Sequence, residues 1–384
     1  MPKLCDVTAA LDGLYDPRWA DDWDAVGTVC GDPDGDVSRV LFAVDPVRAV
    51  VDEAVTWGAD LIVTHHPLYL KGVTSVAATS PKGKVVHTLI GNGIALHTCH
   101  TNADSPPGGV SESMAKALGL TDIRPLDPDP VEPIDKWVTF VPHDVVAKVS
   151  GAMIAAGAGA IGDYDHCTFE TTGIGSFRPL DGAKPTIGQV GMVEQVPETR
   201  LEMVALRHLR AQVLAALRAA HPYEKPAFDV LELAQLSGER GSGRLGRLAQ
   251  PVTLAEYATL VAEALPAHHS VTRVAGDPDR VIETVALCGG SGDFLLAKAT
   301  AAGADVYVTS DLRHHPVSEH LELPGAPAVI DVPHWAAEWT WLPVAAEALT
   351  QALAAAGTTV EAKVSQIVTD PWTFVESTEF RSRR

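Results

Sequence analysis

The sequence predicts an α/β fold built from two related α/β halves, with a smaller α+β domain inserted between them. Apolar runs of strand length alternate with helical segments near both ends of the chain. A seven-residue segment of the first half recurs in the second half. Between the halves, the predicted elements follow the order β-α-β-β-α-β, which is typical of a ferredoxin-like domain.

The first half begins with a βαβ unit. Residues 40–44 form a short apolar strand, Pro46 suits the first turn of a helix over 47–57, and Gly58 ends that helix. The following strand, residues 61–63, is apolar throughout, which indicates burial on both faces of a parallel sheet.

The second half repeats this pattern with a strand at 284–287, a helix over 293–302 and a strand at 305–309. Residues 58–64 (GADLIVT) and 303–309 (GADVYVT) share five of seven positions and stand at the same place in each unit. Chance similarity between two helix-to-strand junctions is the alternative. We favour two related halves that close on each other around a site.

The middle of the chain has a different character. Prolines and acidic residues over 125–133 indicate a linker, and the glycine-rich run 238–246 indicates a flexible exit. The predicted domains are therefore 1–130, 131–236 and 237–384. The predicted elements of the insert are strand 137–141, helix 144–156, a hairpin from 169, strand 201–205, helix 209–220 and strand 227–233.

Composition limits the function classes. The chain has 384 residues, 46% of them hydrophobic, and a formal net charge of −20. This acidity argues against a nucleic-acid partner, because such binding needs dense Lys and Arg. The five cysteines are scattered without a CxxC pair, which favours a reducing cytoplasm over a disulfide framework. No apolar run of membrane-spanning length and no signal-like N-terminus occurs, so we expect a cytoplasmic protein without membrane contact.

Two consecutive histidines, His65 and His66, follow the strand 61–63, and Pro67 prevents a helix or a continued ladder directly after them. They therefore stand at a strand's carboxyl end, where open α/β sheets place their ligands. Adjacent strand residues face opposite ways, so two ions, one for each ring, fit better than one shared ion. A hydrogen-bonded structural pair is the alternative interpretation.

Two further clusters complement this pair. Asp104 lies in a loop beyond the predicted strand 93–96, where it is either a hard metal ligand or the cap of a helix over 110–118. Pro333 opens a helix that places His334 and Glu338 one turn apart on the same face. This spacing brings an imidazole and a carboxylate to one point, although such pairs are also common on exposed helices.

Together these clusters resemble the NIF-three-like family, whose members are also known as GTP cyclohydrolase I type 2 homologues. The resemblance covers nearly the whole chain, and the motifs occur in the same order. The matching runs are 23–27 (WDAVG), 64–67 (THHP), 100–104 (HTNAD), 289–292 (GGSG), 309–315 (TSDLRHH) and 334–338 (HWAAE).

The resemblance implies a three-layer metal-binding core with a dinuclear centre. Its implied ligands are His65, His66, Asp104, His334 and Glu338, with Glu338 bridging the two ions. The resemblance also implies toroidal homohexamers and a PII/CutA-like insert, marked by 162–167 (GDYDHC) and 221–224 (HPYE). The chain departs from the family pattern at Ala25, where Asn is usual, and at Ser310, where Gly is usual.

These features suggest a dinuclear metal-dependent hydrolase that acts on a nucleotide-like or other small polar substrate. One histidine and part of a carboxylate for each ion would leave positions open to water, as in catalytic sites. His100 and His315 are candidates to orient the metal ligands or to act as acid–base residues, and simple hydrogen bonding is the alternative. Nitrogen and oxygen ligands without thiolate suit Zn, Mn, Fe, Co or Ni alike.

The run 289–292 lacks the spacing of a dinucleotide or P-loop motif, but it could still offer backbone N–H groups to a phosphate. The alternative function is a metal-binding regulatory or scaffold protein that uses the insert for partner contacts.

Overall fold

The structure, a computed structural model, describes residues 1–376. The chain divides into two compact units. Unit 1 combines Met1–Asp129 with the chain from Glu239 onward, and unit 2 is Pro130–Gly238. The end of the predicted third segment, residues 377–384, lies outside the described residues.

The first part of unit 1 alternates strands and helices. In chain order its elements are α1 (Leu4–Leu14), β1 (Gly27–Cys30), β2 (Arg39–Ala43), α2 (Arg48–Trp57), β3 (Leu61–Thr64), α3 (Pro81–Gly91), β4 (Ala95–Thr98), α4 (Thr101–Asp104), α5 (Val110–Ala117) and β5 (Thr121–Pro130).

Unit 2 has the predicted element order β-α-β-β-α-β. Its elements are β6 (Ile134–Pro142), α6 (Val146–Ala155), β7 (Thr168–Phe177), β8 (Glu194–Leu206), α7 (Arg210–Ala220) and β9 (Phe228–Glu232).

The chain then returns to unit 1. The remaining elements are β10 (Ser237–Thr253), α8 (Leu254–Ala264), β11 (Arg273–Ala275), β12 (Val281–Ser291), α9 (Leu296–Ala301), β13 (Val306–Ser310), α10 (His314–Leu321), β14 (Ala328–Asp331), α11 (His334–Trp339), α12 (Trp341–Ala355) and β15 (Glu361–Val364).

Unit 1 contains two sheets that mix parallel and antiparallel pairing, and the predicted α/β architecture is confirmed. The first sheet has the order β1-β4-β3-β2-β15, in which only β1 pairs antiparallel. The second has the order β11-β14-β13-β12-β10-β5, with a parallel centre formed by β12, β13 and β14. Strand β15, which the sequence did not predict, brings the C-terminal part of the chain into the first sheet beside β2.

One hydrophobic cluster joins the two sheets. It includes Val63 of β3 and Val308 of β13, together with Met114 of α5, Tyr257 of α8 and Trp341 of α12. Alternation along β2 explains how both faces are covered, because Phe42 enters this cluster while Leu41 packs with α2 and α3 on the opposite face. The other face of the second sheet packs against α9.

The repeated segment has the same structural role in both sheets. Gly58 and Gly303 end α2 and α9 in the left-handed conformation, with φ of 74° and 69°. Asp60 then accepts hydrogen bonds from the backbone N–H groups of Ser38 and Arg39, and Asp305 accepts them from Glu283 and Thr284. The glycine ends a helix, and the aspartate ties the next strand to the start of its neighbour.

The predicted flexible exit at 238–246 is wrong, because it is a strand, and the predicted linker at 125–133 is wrong for 125–130, whereas 131–133 lie outside any strand. Residues 125–130 belong to β5, which lies at the edge of the second sheet, where prolines can be accommodated. The glycines of β10 allow close strand approach: a Cβ at Gly241 would lie 2.3 Å from the Asp127 carbonyl oxygen. The prolines therefore mark an edge strand, and the glycines mark a close approach of two strands.

Unit 2 forms a four-stranded antiparallel sheet in the order β7-β8-β6-β9. Helices α6 and α7 pack on one face, where Val149, Val213 and Leu217 meet Trp137 and Leu201.

A buried arginine ties β10 to the segment that follows α4. The Arg244 side chain is 0% exposed and donates hydrogen bonds to the carbonyl oxygens of Gly241, Gly243, Ser105 and Pro106 at 2.7–2.8 Å. Since Ser105 directly follows Asp104, this arginine holds the backbone next to that aspartate.

We expect Arg244→Met to lower the free energy of unfolding by about 3 kcal/mol, because buried carbonyl groups lose their donors. Arg247→Met is the matched control, since Arg247 also lies in β10 but forms an exposed ion pair with Glu283 of β12. We expect this variant to lose less than about 1 kcal/mol of unfolding free energy. Urea denaturation measures both. Equal stability of the two variants would contradict a structural role for Arg244.

Candidate metal centre

The candidate residues converge at the carboxyl ends of parallel strands in unit 1. His65 and His66 follow β3, and Asp104 lies in α4 beyond β4. From the second sheet, His334 and Glu338 lie in α11, just beyond β14. The topology thus brings together the five residues that the sequence analysis placed at the metal site.

Both histidines of the pair face Glu338. The Nε2 atom of His65 lies 3.4 Å from Glu338 Oε1, and that of His66 lies 3.1 Å from Glu338 Oε2. The backbone N–H of His65 still donates to Ala43, and that of His66 to Val44, so the neighbouring strand holds the chain here.

Helix α11 supplies the third imidazole and the shared carboxylate. His334 Nε2 lies 2.7 Å from Glu338 Oε1 and 3.3 Å from His66 Nε2. Glu338 is only 3% exposed, so its carboxylate sits among three imidazoles, those of His65, His66 and His334, in a buried position. The i,i+4 spacing has the effect expected from the sequence.

Asp104 approaches the cluster from the first sheet. Its Oδ1 atom lies 3.5 Å from His65 Nε2. The alternative interpretation of Asp104 as a helix cap does not apply, because Gly109 occupies the N-cap position of α5.

Carboxylates orient three of the imidazoles. The Nδ1–H groups of His66, His334 and His100 donate to Asp45, Asp311 and Asp24 at 2.7, 2.7 and 2.8 Å. His65 instead donates from Nδ1 to the carbonyl oxygen of Cys99 at 3.0 Å. Each contact leaves the Nε2 lone pair of a neutral ring available, which is the arrangement found around metal-bound histidines.

His100 lies beside the pair. Its ring centroid is 5.1 Å from that of His65 and 5.6 Å from that of His66. Asp24, whose side chain is fully buried, also accepts hydrogen bonds from the backbone and hydroxyl of Thr101. Burial raises the pKa of Asp24, but the hydrogen bonds from His100 and Thr101 outweigh it and lower the pKa. His100 is therefore held by an ionised partner.

Mutual charge sets the protonation of the cluster. Burial lowers the pKa of His66, but the negative charge of Glu338 and the Asp45 hydrogen bond raise it to about 11. The pKa of His334 rises to about 10 because Glu338 and Asp311 likewise outweigh burial. Burial raises the pKa of Glu338, but the surrounding imidazoles lower it well below its usual range. For Asp104, burial dominates and raises the pKa to about 6.

Two carboxylate oxygens in the cluster lack hydrogen bonds. Asp104 Oδ1 and Glu338 Oε2 are buried, and no hydrogen bond from a described residue reaches either atom. Buried carboxylate oxygens without donors are costly unless a cation compensates them. The ligand atoms of His65, His66 and His100 lie within 4.8 Å of one another, as do those of His66, His334 and Glu338, so these clusters could hold a metal ion.

His315 lies apart from the cluster. It is exposed in the first turn of α10, and its ring packs edge-on against His314 at 5.1 Å. In the described part of the chain, no hydrogen bond or ion pair links His315 to the cluster, so its catalytic role remains only a prediction.

The glycine run 289–292 has a role that the sequence did not suggest. Gly290 has φ of 70°, and a Cβ at this position would lie 2.6 Å from Glu338 Oε1. The missing side chain makes room for the shared carboxylate at the end of β12.

A cavity of about 770 Å³ opens beside His66 and His334. Its wall includes Arg273, Trp372 and Phe374. Arg273 forms an ion pair with Asp331, whereas Trp372 and Phe374 are 67% and 77% exposed. Aromatic surfaces and a cationic group therefore lie next to the clustered histidines.

Sequence reasoning missed the orienting carboxylates. Asp24 stands within the run 23–27, and Asp311 within 309–315, both of which were singled out as motifs. Asp45 follows β2 as His65 follows β3, so its position at a strand end was the available signal.

In the described residues, no helix is both long and apolar enough to cross a membrane.

Comparison with known proteins identifies a matching family and named relatives. The family described as Duf34/NIF3 (NGG1p interacting factor 3) matches residues 2–371. A Mycobacterium tuberculosis protein named GTP cyclohydrolase 1 type 2 homolog is 49% identical over 371 residues, covering 96% of each chain. The Bacillus subtilis protein of the same name is 37% identical and covers 84% of this chain and 86% of its own.

Solved structures show the same fold. A Bacillus cereus protein related to NIF3 is 34% identical, with a TM-score of 0.76, and covers 97% of this chain and 99% of its own. A Staphylococcus aureus protein, SA1388, has a TM-score of 0.83 at 28% identity, with the same coverage. This chain therefore belongs to the Duf34/NIF3 family.

Proposed function

We propose that this protein is a dinuclear metal-dependent hydrolase. One observation carries the proposal: a buried carboxylate, Glu338, contacts the Nε2 atoms of three histidines whose opposite ring nitrogens are already engaged. A structural histidine pair would need no such shared carboxylate.

The donor set fits divalent metal ions. It combines imidazole nitrogens with carboxylate oxygens and contains no thiolate, which suits Zn, Mn, Fe, Co or Ni. When the imidazoles are neutral, as metal ligands must be, Asp104 Oδ1 and Glu338 Oε2 are buried without a hydrogen-bond donor, and a metal ion would compensate their charge. We assign His65 and Asp104 to one ion, His66 and His334 to the other, and Glu338 to both.

Two ions held in this way would supply Lewis acidity and a nucleophilic water at neutral pH. The chain's own residues bind and orient the reactants. Asp45 and Asp311 fix the ring planes of His66 and His334, while Gly290 leaves space for Glu338. Asp24 engages Nδ1 of His100, which leaves its Nε2 free to accept or donate a proton beside the cluster.

The neighbouring cavity supports a small polar substrate with an aromatic ring. Trp372 and Phe374 offer faces for stacking, while Arg273 is already paired with Asp331 on the same wall. The name of the relatives, GTP cyclohydrolase 1 type 2 homolog, agrees with a nucleotide-like substrate.

A metal-binding scaffold without turnover is the second candidate. Unit 2 exposes large apolar side chains, among them Phe169 at 64% and Ile174 at 73%, which favours contact with another protein surface. Loss of turnover with a chelator and its return with one added metal would support the hydrolase. Partner capture by a variant without metal ligands would support the scaffold.

Finer features of the architecture belong to the same proposal. We assign unit 1 as a three-layer metal-binding core and unit 2 as an inserted PII/CutA-like domain, on the strength of its element order and antiparallel sheet. The five cysteines are free thiols, which supports a location in the reducing cytoplasm.

Glu338→Gln should lower the metal content below the two ions per chain expected for the wild type, because the shared carboxylate loses its charge. Folding should be retained, since the site lies at strand and helix ends. Glu347→Gln is the matched control, as Glu347 is exposed on α12. Elemental analysis measures the content, and two ions in the Glu338 variant would remove this residue from the ligand set.

Asp45→Asn should weaken metal binding by roughly 10- to 100-fold, because His66 loses its charged orienting partner. Asp52→Asn provides the comparison, since Asp52 pairs with Arg48 at the surface. Competitive metal titration tests this, and equal affinities in the two variants would contradict an orienting role.

His100→Gln should lower kcat by roughly 10²- to 10⁴-fold while the metal content stays at the wild-type value. The same preparation gives both measurements, with substrates taken from a library of phosphorylated and heterocyclic small molecules. A fall in metal content would instead make His100 a ligand, and unchanged kcat would exclude it from proton transfer.

We also propose that the protein is a homo-oligomer larger than a dimer, a hexamer by family resemblance. Strands β7 and β9 are the two edges of the unit 2 sheet, and such edges pair readily with other chains. Light scattering on the intact chain should give a mass above that of a dimer. A monomer throughout the micromolar range would refute the assignment.

A further inference from the structure

Unit 2 contains a second cavity, of about 630 Å³, within the range of small-molecule sites. Apolar and aromatic side chains form much of its wall, including Phe140, Ile174, Phe177 and Tyr223. None of the proposed metal ligands belongs to it.

The cavity lies on the sheet face opposite the helices. Leu201 and Met203 of β8 pack in the cluster that α6 and α7 cover. Side chains alternate along a strand, so Glu198 and Arg200 point to the other face. Phe140 joins them there, with the Arg200 guanidinium 6.0 Å from its ring centroid.

A buried carboxylate forms the polar end of this cavity. Glu198 is 7% exposed, and the Tyr223 hydroxyl donates to its Oε1 atom at 2.8 Å. No hydrogen bond from a described residue reaches Oε2, and no cationic side chain of the described residues forms an ion pair with this carboxylate. Arg200, the nearest arginine along β8, pairs instead with Glu202.

The strand beside Glu198 is shaped around it. A Cβ at Gly175 would lie 2.0 Å from Glu198 Oε2, so only glycine leaves room for the carboxylate in this position. The backbone thus leaves room for the carboxylate, whose Oε2 atom receives no hydrogen bond from the described residues. A buried charge of this kind is costly unless a donor or cation compensates it.

We propose that this cavity binds a planar ligand whose N–H donor head is an amidinium- or guanidinium-like group. Two parallel N–H groups match the two oxygens of a carboxylate, and the aromatic wall accepts the planar body of the ligand. Each oxygen has two lone pairs, so Glu198 Oε1 can accept a second hydrogen bond beside that of Tyr223.

The rim of the cavity carries two cations, Arg178 and Lys225, and one carboxylate, Glu224. Arg178 and Lys225 line it and are exposed, so solvent screens their repulsion of a cationic head more than it screens the buried carboxylate. These two cations favour a ligand that carries an anionic group at its outer end.

The test is calorimetric titration of the full chain with benzamidine, its neutral analogue benzamide, and 4-amidinobenzoate. Benzamidine should bind at least about tenfold more tightly than benzamide, because charge-assisted hydrogen bonds replace neutral ones. The added carboxylate of 4-amidinobenzoate should strengthen binding further.

In Glu198→Gln, the affinity for benzamidine should fall about tenfold, to that for benzamide. Glu170→Gln is the matched control, since Glu170 lies on the same sheet but does not line the cavity. If Glu198→Gln does not fold, Gly175→Ala displaces the carboxylate instead and should have the same effect.

Equal binding of benzamidine and benzamide by the wild-type chain would overturn the proposal. Benzamidine affinity that is unchanged in both the Glu198 and Gly175 variants would overturn it as well, because the binding would then lie elsewhere.

Discussion

The candidate centre depends on the contact of one buried carboxylate with three imidazoles. Glu338 comes from the helix after β14, whereas His65 and His66 follow β3 of the other sheet. The site therefore exists only when the two sheets share the core formed by residues such as Val63, Val308 and Trp341. The packing of the two sheets against each other therefore also determines the geometry of the candidate centre.

Much of this association was predictable from the sequence. The apolar runs placed His65 and His66 at a strand end, and the i,i+4 spacing placed His334 beside Glu338. The repeated segment indicated related halves because its glycine and aspartate have fixed tasks at a helix-to-strand junction. Each of these features depends on residues that are close in sequence, so the sequence alone was enough to predict it.

What the sequence could not give are contacts between distant segments. Asp24 reaches His100 across 76 positions, and Arg244 reaches Ser105 across 139. The edge position of β5 likewise cannot be inferred from its prolines alone, since prolines also mark linkers. His315 belongs to the same motif as Asp311, but it is exposed on α10, whereas Asp311 contacts His334. Membership in a motif therefore does not by itself place a side chain in the site.

Anomalous diffraction from crystals grown with Zn²⁺ tests the central claim most directly. The account predicts two peaks per chain about 3.5–4 Å apart, one beside His65 and Asp104, the other beside His66 and His334, with Glu338 between them. A single peak, or peaks that contact none of these side chains, would contradict the dinuclear centre.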